Sequence, residues 1–85
     1  MVFMKRKEKS QMTLHELGEI LNKMYSTAAW GEKTAMAHLF GIIYAGEINK
    51  GGYSAADVAR EAGLYNTVNT EVSAGIKLSK YVTPI

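Results

Sequence analysis

Apolar residues recur at helical spacing through most of this 85-residue chain, and the first such segment follows Thr13. Its apolar positions lie three or four residues apart, at Leu14, Leu17, Leu21 and Met24. Thr13 and Glu16 have the spacing of a capping box, in which the hydroxyl and the carboxylate each accept a hydrogen bond from an otherwise unpaired amide. The pattern therefore predicts a first helix that begins after Thr13 and ends near Tyr25.

The second apolar segment is longer and predicts a helix from about Glu32 to Asn49. Large apolar side chains form a broad face at Met36, Leu39, Phe40, Ile43, Tyr44 and Ile48. Small residues lie among them, at Ala35, Ala37, Gly41 and Ala45. Because a helix this apolar does not suit a free surface, we predict that it is the central core helix or that part of it contacts a second subunit. The small residues, where a backbone can approach closely, are the candidate homodimer interface on the helix 32–49 face.

The connections on either side of this helix carry distinct signals. Trp30 precedes it, and we predict that this side chain closes the core, since a lone Trp beside a helix start usually does so. Gly51 and Gly52 follow it and predict a stop, because glycine adopts the left-handed conformations that end helices. Ser54 can then cap a third helix, with Asp57 in the place of the capping-box carboxylate.

The third helix is short and leads into a tight corner. Its inward residues are predicted to be Val58, Ala59 and Ala62. Gly63 suits the left-handed turn position that follows, and Leu64 is predicted to fill the corner between this helix and the next.

A fourth helix is predicted to start near residues 66–67, where both side chains are competent caps. Val68 and Val72 lie four residues apart on one face. Gly75 is predicted to end this helix in a left-handed cap, with Ile76 folding back as the hydrophobic contact.

Residues 54–75, with the sequence SAADVAREAGLYNTVNTEVSAG, resemble the helix-turn-helix of prokaryotic repressors and of phage or transposon regulators. The matching residues are Val58, Ala59, Gly63, Leu64 and Val72. The departure is Asn69, where those families usually place Val or Ile. Either the turn is shortened so that Val68 becomes the anchor, or Asn69 is a partly buried polar exception. We favour the first alternative because Val68 and Val72 then form one consistent apolar face.

A second resemblance covers most of residues 12–82. The segments MTLHELGEIL, GEKTAMAHLFGIIYAGEI and GIKLSKYV are similar to a small prokaryotic helix-turn-helix-like domain family, found as stand-alone proteins or attached to larger ones, some of them restriction-type. The resemblance implies a DNA-related context and no catalytic residue. The predicted fold is all-α, a compact domain of four to five helices that contains a helix-turn-helix. Residues 1–12 are predicted to be a basic, flexible N-terminal arm, and residues 13–85 the helical domain.

Charge is concentrated at the N-terminus. The net charge of +2 divides into four cations and one anion in residues 1–12, three cations and four anions in residues 13–50, and three of each in residues 51–85. The arm is therefore either a solvated tail, a segment that contacts phosphates, or a remnant of recombinant expression.

Candidate catalytic chemistry is sparse. The chain has no cysteine, which excludes disulfides and thiol chemistry, and its two histidines are His15 and His38. His15 and Glu19 lie four residues apart, as a metal-binding pair would, but we favour no metal site, and we predict that His38 is structural or solvent-facing. No catalytic triad, phosphate loop or pair of catalytic acids is present, so we predict a protein that is not an enzyme and needs no cofactor. Without an apolar run of roughly 18 residues or a signal core, we predict a cytoplasmic protein that does not contact membranes.

The polar positions of the fourth helix suit direct reading of bases, because Asn can bind adenine through two hydrogen bonds and Thr or Ser can contact several base edges. We predict that residues 67–74 enter the major groove of double-stranded DNA. Base contacts are predicted for Asn66, Thr67, Asn69, Thr70 and Ser73. Phosphate contacts are predicted for Lys5, Arg6, Lys7, Lys9, Arg60, Lys77 and Lys80. This helix carries no arginine, so a single domain should bind weakly, and a dimer with reading helices about 34 Å apart would bind more tightly.

Two functions follow from these features. The first is a DNA-binding helix-turn-helix protein, either a transcriptional regulator or a factor associated with phages, mobile elements or restriction. The alternative is a protein-interaction module that has a helix-turn-helix-like fold and no DNA affinity, which the apolar surface of the second helix and the low net charge favour.

Overall fold

Four helices make up most of the part of the chain that the computed structural model describes, residues 12–64 and 67–83. They are α1 (Leu14–Ser26), α2 (Lys33–Gly51), α3 (Ala55–Glu61) and α4 (Thr67–Leu78). These residues contain no strand, which confirms the all-α prediction. The predicted arm lies outside the described residues except for Met12, and so does Asn66.

Two capping boxes set the starts of α1 and α3, as predicted. At α1, the Thr13 hydroxyl accepts a hydrogen bond from the Glu16 amide at 3.0 Å, and the Thr13 amide donates to the Glu16 carboxylate at 2.9 Å. At α3, Ser54 and Asp57 make the same two bonds at 3.0 and 2.9 Å. Each box satisfies two backbone amides that the first turn of a helix cannot pair internally.

The predicted stop after α2 is confirmed at Gly52. This residue has a φ of 74°, and its amide donates to the Asn49 carbonyl at 3.1 Å. The Tyr53 amide donates to the Ile48 carbonyl at 3.1 Å, which completes a Schellman motif. The motif reverses the chain so that α3 can return to the core.

The core is formed by residues from all four helices, with α2 at its centre. The largest fully buried side chains are Phe40, Leu17, Leu21, Ile48, Val58 and Val72. α2 packs against α1 and α4, and α3 packs against α1 and α4. None of the described residues with a polar or charged side chain is fully buried, so the core of this part of the chain is apolar.

Two glycines allow α2 and α4 to cross in close contact. A Cβ atom at Gly75 would overlap the carbonyl oxygen of His38 and lie 3.0 Å from the Cα atom of Gly41. A Cβ atom at Gly41 would in turn overlap the carbonyl oxygen of Val72. The prediction that Gly75 ends the fourth helix is therefore wrong: α4 continues to Leu78 because Gly75 serves a helix crossing and not a turn.

The same crossing corrects the candidate dimer interface. Ala37, Gly41 and Ala45 are buried within the single chain, and α4 covers Gly41. Three of the four predicted small residues of α2 are therefore not open to a second subunit, whereas Ala35 is exposed. The backbone that approaches Gly41 is α4 of the same chain.

The prediction that Trp30 closes the core is wrong, because this side chain is 96% exposed. Gly31, with a φ of 89°, turns the chain between α1 and α2. Other residues close this corner: the Lys33 ammonium donates to the Tyr25 carbonyl at 2.9 Å and lies 5.2 Å from the centroid of the Tyr25 ring. These contacts leave the Trp30 side chain in solvent.

Candidate nucleic-acid interface

The corner between α3 and α4 begins with a second Schellman motif. The Gly63 amide donates to the Arg60 carbonyl at 3.0 Å, and the Leu64 amide donates to the Ala59 carbonyl at 2.8 Å. Gly63 has a φ of 79°, and Leu64 is half-buried against the core. Both residues therefore have the predicted roles, because one supplies the left-handed turn and the other the apolar contact that accompanies it.

Val68 is the apolar anchor of α4. It is 5% exposed, Val72 is fully buried, and both belong to the same cluster as Val58 and Ala59 of α3. Asn69 is half-buried at the edge of this contact. The prediction that Val68 is the apolar anchor is thus confirmed, whereas the predicted shortening of the turn involves residues 65–66, which lie outside the described residues. The burial of Val68 and Val72 fixes which side of α4 faces solvent.

The outward side of α4 carries the predicted base-contacting residues that the structure describes. Thr67 and Thr70 are exposed, whereas Asn69 and Ser73 are half-buried on one flank. Positions 70 and 73 lie on successive turns of one face, which continues to Lys77 at the end of the helix. The structure therefore brings these short polar side chains together along about two turns of α4.

The predicted phosphate-contacting cations differ in their surroundings. Lys77 and Lys80 are exposed, one in the last turn of α4 and the other just after it, and neither forms an ion pair with a described residue. The Arg60 guanidinium lies 3.1 Å from the Asp57 carboxylate, so its charge is partly neutralised. Hydrogen bonds from Ser54, and then Arg60, lower the pKa of Asp57. Four further cations, Lys5, Arg6, Lys7 and Lys9, lie outside the described residues.

One charged contact of α4 was missed by sequence reasoning. The Glu71 carboxylate lies 2.7 Å from Nε2 of His38, and both side chains are half-buried. The pair links α4 to α2 beside the polar face of α4. Only the crossing of the two helices brings positions 38 and 71 together, so no local spacing in the sequence could have revealed it. It does confirm a structural role for His38.

His15 also joins two helices, in this case α1 and α3. Its ring nitrogens lie 3.2 Å from Glu19 on α1 and 3.2 Å from Glu61 on α3. The hydrogen bond with Glu61, together with the negative charge of Glu19, raises the pKa of His15. An open cleft of about 700 Å³ lies nearby between α1 and α3, where the Asn22 amide donates to the Ala62 carbonyl at 3.0 Å.

Two other features are absent from the described residues. No group of three or more His, Asp or Glu side chains there could hold a metal ion. No helix in this part of the chain is both long and apolar enough to cross a membrane.

Comparison with known proteins gives one match. A family model described as an HTH-like domain matches residues 13–85. No curated protein and no solved structure matches the chain significantly.

Proposed function

Because the chain belongs to the family of HTH-like domains, we propose that it binds double-stranded DNA and reads the major groove with residues 67–74 of α4. The observation that carries this proposal is the orientation of α4. Val68 and Val72 are buried against α3, so the polar face with Thr70 and Ser73 is directed away from the core. A second helix held in this way by a short preceding helix is the arrangement that helix-turn-helix proteins insert into the groove.

The side chains on this face suit contacts with base edges. Asn69, on the flank, can bind adenine through two hydrogen bonds, and Asn66, which is an asparagine too, has the same capacity. Thr67, Thr70 and Ser73 can donate to or accept from several bases, and the threonine methyl groups can contact the thymine methyl. All five side chains are short, so the helix backbone can lie deep in the groove.

Few cations support this reading helix. Lys77, in the last turn of α4, and Lys80, just after the helix, are both exposed, and we expect them to contact phosphates beside the groove. Arg60, at the end of α3, forms an ion pair with Asp57 that partly neutralises its charge. With roughly two or three phosphate contacts from this part of each chain, the logarithm of the binding constant should fall with the logarithm of salt concentration with a slope of about −2 to −3.

The biological setting rests on the sequence resemblance described above. It favours a transcriptional regulator, or a factor associated with phages, mobile elements or restriction. The low net charge and the absence of arginine on α4 fit a protein that gains affinity by binding as a multimer.

A test begins with selection of bound sequences from a random duplex library, followed by affinity measurements at several salt concentrations. We expect salt-sensitive binding by the unmodified protein and a loss of sequence preference in the double variant Asn69→Ala/Thr70→Ala. The matched control is Thr34→Ala/Asn49→Ala, which removes the same residue types from exposed positions of α2. The variant Lys77→Gln/Lys80→Gln should weaken binding to all sequences and reduce the salt slope by about two.

Two results would contradict the proposal at different levels. Absence of salt-sensitive DNA binding would exclude DNA as the ligand. DNA binding would exclude α4 as the reading helix if it were unchanged in Asn69→Ala/Thr70→Ala and in Lys77→Gln/Lys80→Gln, as it is expected to be in the control on α2.

A second candidate function is protein recognition without DNA affinity. The observation in its favour is the 96% exposure of Trp30, since Trp is enriched at the energetic centres of protein interfaces. Failure to select any DNA sequence, combined with retention of a protein partner that Trp30→Ser abolishes, would favour this function over DNA binding.

A further inference from the structure

The side of α2 that faces away from the core carries a continuous apolar seam. Met36, Leu39, Ile43 and Gly46 follow one another at steps of three, four and three residues, and we call them the outer seam. Ile43 is 42% exposed, Gly46 is exposed, and the other two are half-buried. Alternating steps of three and four place side chains along one stripe of a helix and are the spacing of a coiled-coil contact.

The outer seam lies opposite the surface that α2 buries. With 3.6 residues per turn, Ile43 is rotated by about 160° around the helix from Gly41, which contacts α4. α2 is therefore apolar on two opposite sides, and the described part of the chain covers one of them fully and the other only in part. A helix that is apolar all round is normally covered on both sides.

The composition of α2 indicates what covers the second side. Between Lys33 and Lys50 the helix contains no Lys or Arg, so this surface does not suit a nucleic-acid backbone. The seam spacing suits another helix with the same spacing, because knobs on one helix then meet holes on the other at every turn. The helix that the chain itself offers with this spacing and an uncovered side is α2 of a second copy.

We propose that the protein forms a homodimer in which the outer seams of two α2 helices pack against each other in antiparallel orientation. A two-fold axis level with residue 41 sets the register. It places Met36 of one copy against Gly46 of the other, and Leu39 of one copy against Ile43 of the other. Every contact then occurs twice, as an interface between identical surfaces requires.

In this register the large side chain of Met36 in one copy faces the open space at Gly46 in the other. Apart from the adjoining backbone of α2, no atom of the described residues lies within 4 Å of the position that a Cβ atom at Gly46 would occupy, so the seam has a hole there. Met36, a flexible side chain that adapts to irregular gaps, enters that hole from the other copy. One further step along the same spacing brings Glu32 of one copy opposite Lys50 of the other, so opposite charges meet at both ends.

Dimerisation through the outer seam leaves the reading helices uncovered. Each α4 lies on the far side of its own α2, so three helix-to-helix spacings of about 8–10 Å separate the two α4 helices by roughly 24–30 Å. This distance is of the same order as the spacing of successive major grooves. The dimer itself does not depend on DNA binding, and its test contains no DNA.

The first experiment measures mass by sedimentation over protein concentrations from about 1 µM to about 1 mM. We expect a reversible dimer whose dissociation constant rises at least about tenfold in Ile43→Glu, because the carboxylate would be buried in the contact. Asn49→Glu, which adds the same charge at an exposed position of the same helix rotated by about 120° from Ile43, is the control and should remain dimeric.

A second variant separates loss of the dimer from loss of the fold. Gly46→Phe fills the hole that receives Met36, yet the open space beside Gly46 lets a single copy accept the side chain. We expect it to be monomeric over the whole concentration range. At about 1 µM, where the unmodified protein is also a single copy, its helix content and thermal stability should be at least equal to those of the unmodified protein. A chain that is monomeric up to about 1 mM, or a dimer that survives both Ile43→Glu and Gly46→Phe, would overturn the proposal.

Cysteine cross-linking tests the register, because the chain contains no cysteine of its own. Leu39→Cys and Ile43→Cys are purified separately, one with a mass tag, and oxidised alone or mixed. Antiparallel pairing predicts that the mixed cross-link forms faster than either homodimeric one. The proposed arrangement would be contradicted if either variant cross-linked to Asn49→Cys as fast as the two variants cross-link to each other. Faster cross-linking of each variant to itself would contradict it as well.

Discussion

Replacing Gly75 by Ala should destabilise the protein, although alanine is the better helix former. The intrinsic preference of a helix for Ala over Gly is about 1 kcal/mol and would by itself be stabilising. The added Cβ, however, would overlap the carbonyl oxygen of His38 and lie 3.0 Å from the Cα atom of Gly41. Both neighbours are backbone, so no rotation of a side chain can relieve the overlap, and α4 must move away from α2.

The magnitude follows from these opposing effects. Overpacking of a close contact costs about 3 kcal/mol at the upper end of its usual range. Subtracting the gain in helix preference leaves a net loss of about 2 kcal/mol, which for a domain of this size lowers Tm by roughly 8–16 °C. The matched control is Gly46→Ala on α2, where the new Cβ meets no atom within 4 Å. That variant should gain about 0.5–1 kcal/mol.

Urea unfolding and thermal melts, both followed by circular dichroism at about 1 µM, measure the two variants under conditions that favour the single copy. The two Gly→Ala substitutions should shift the free energy of unfolding in opposite directions, down for Gly75→Ala and up for Gly46→Ala. If Gly75→Ala were as stable as the unmodified protein, the close crossing of α2 and α4 would be refuted. A loss of stability in Gly46→Ala would contradict the open surface at that position.

Three further predictions concern single side chains. Glu61 and Glu19 raise the pKa of His15 above its ordinary value of about 6.5, so the contribution of His15 to stability is fully present below that pH and is lost as pH rises through the raised pKa. In His15→Gln, the free energy of unfolding should therefore decline less over this pH range than in the unmodified protein. Ser54→Ala should lower the free energy of unfolding by about 1 kcal/mol, and an unchanged urea midpoint would contradict the capping role. Trp30→Ser should change that free energy by less than about 0.5 kcal/mol, so a large loss in a thermal melt would show that the side chain is not exposed.

Local signals in the sequence predicted the helices and their ends well. The Thr13 and Ser54 capping boxes, the stop at Gly52 and the turn at Gly63 all depend on residues within a few positions of one another. Their geometry is set by backbone sterics and by hydrogen bonds of short sequence separation, so the pattern of residue types is enough to identify them. The same is true of Val68, whose spacing from Val72 identified the buried side of α4.

The errors concern residues whose role depends on a distant part of the chain. Glycine is common at helix ends, so the residue type at position 75 suggested a cap. Only the close approach of α2 shows that Gly75 permits a helix crossing. Trp is a residue type that usually closes a core, but at Trp30 the contact between Lys33 and Tyr25 already closes that corner. The pairing of His38 with Glu71 likewise depends on how α2 and α4 cross.

The sequence by itself therefore determined the four helices, the capping boxes of α1 and α3, the stop after α2 and the turn at Gly63, because these follow from spacing and local hydrogen bonding. The tertiary structure decided which side of each helix is available. For α2 it assigned Gly41 to the crossing with α4 and left Ile43 and Gly46 of the outer seam exposed, and for α4 it left Thr70 exposed. The physical reason is that helical periodicity specifies an apolar stripe but not the partner that covers it, and packing between distant segments makes that choice.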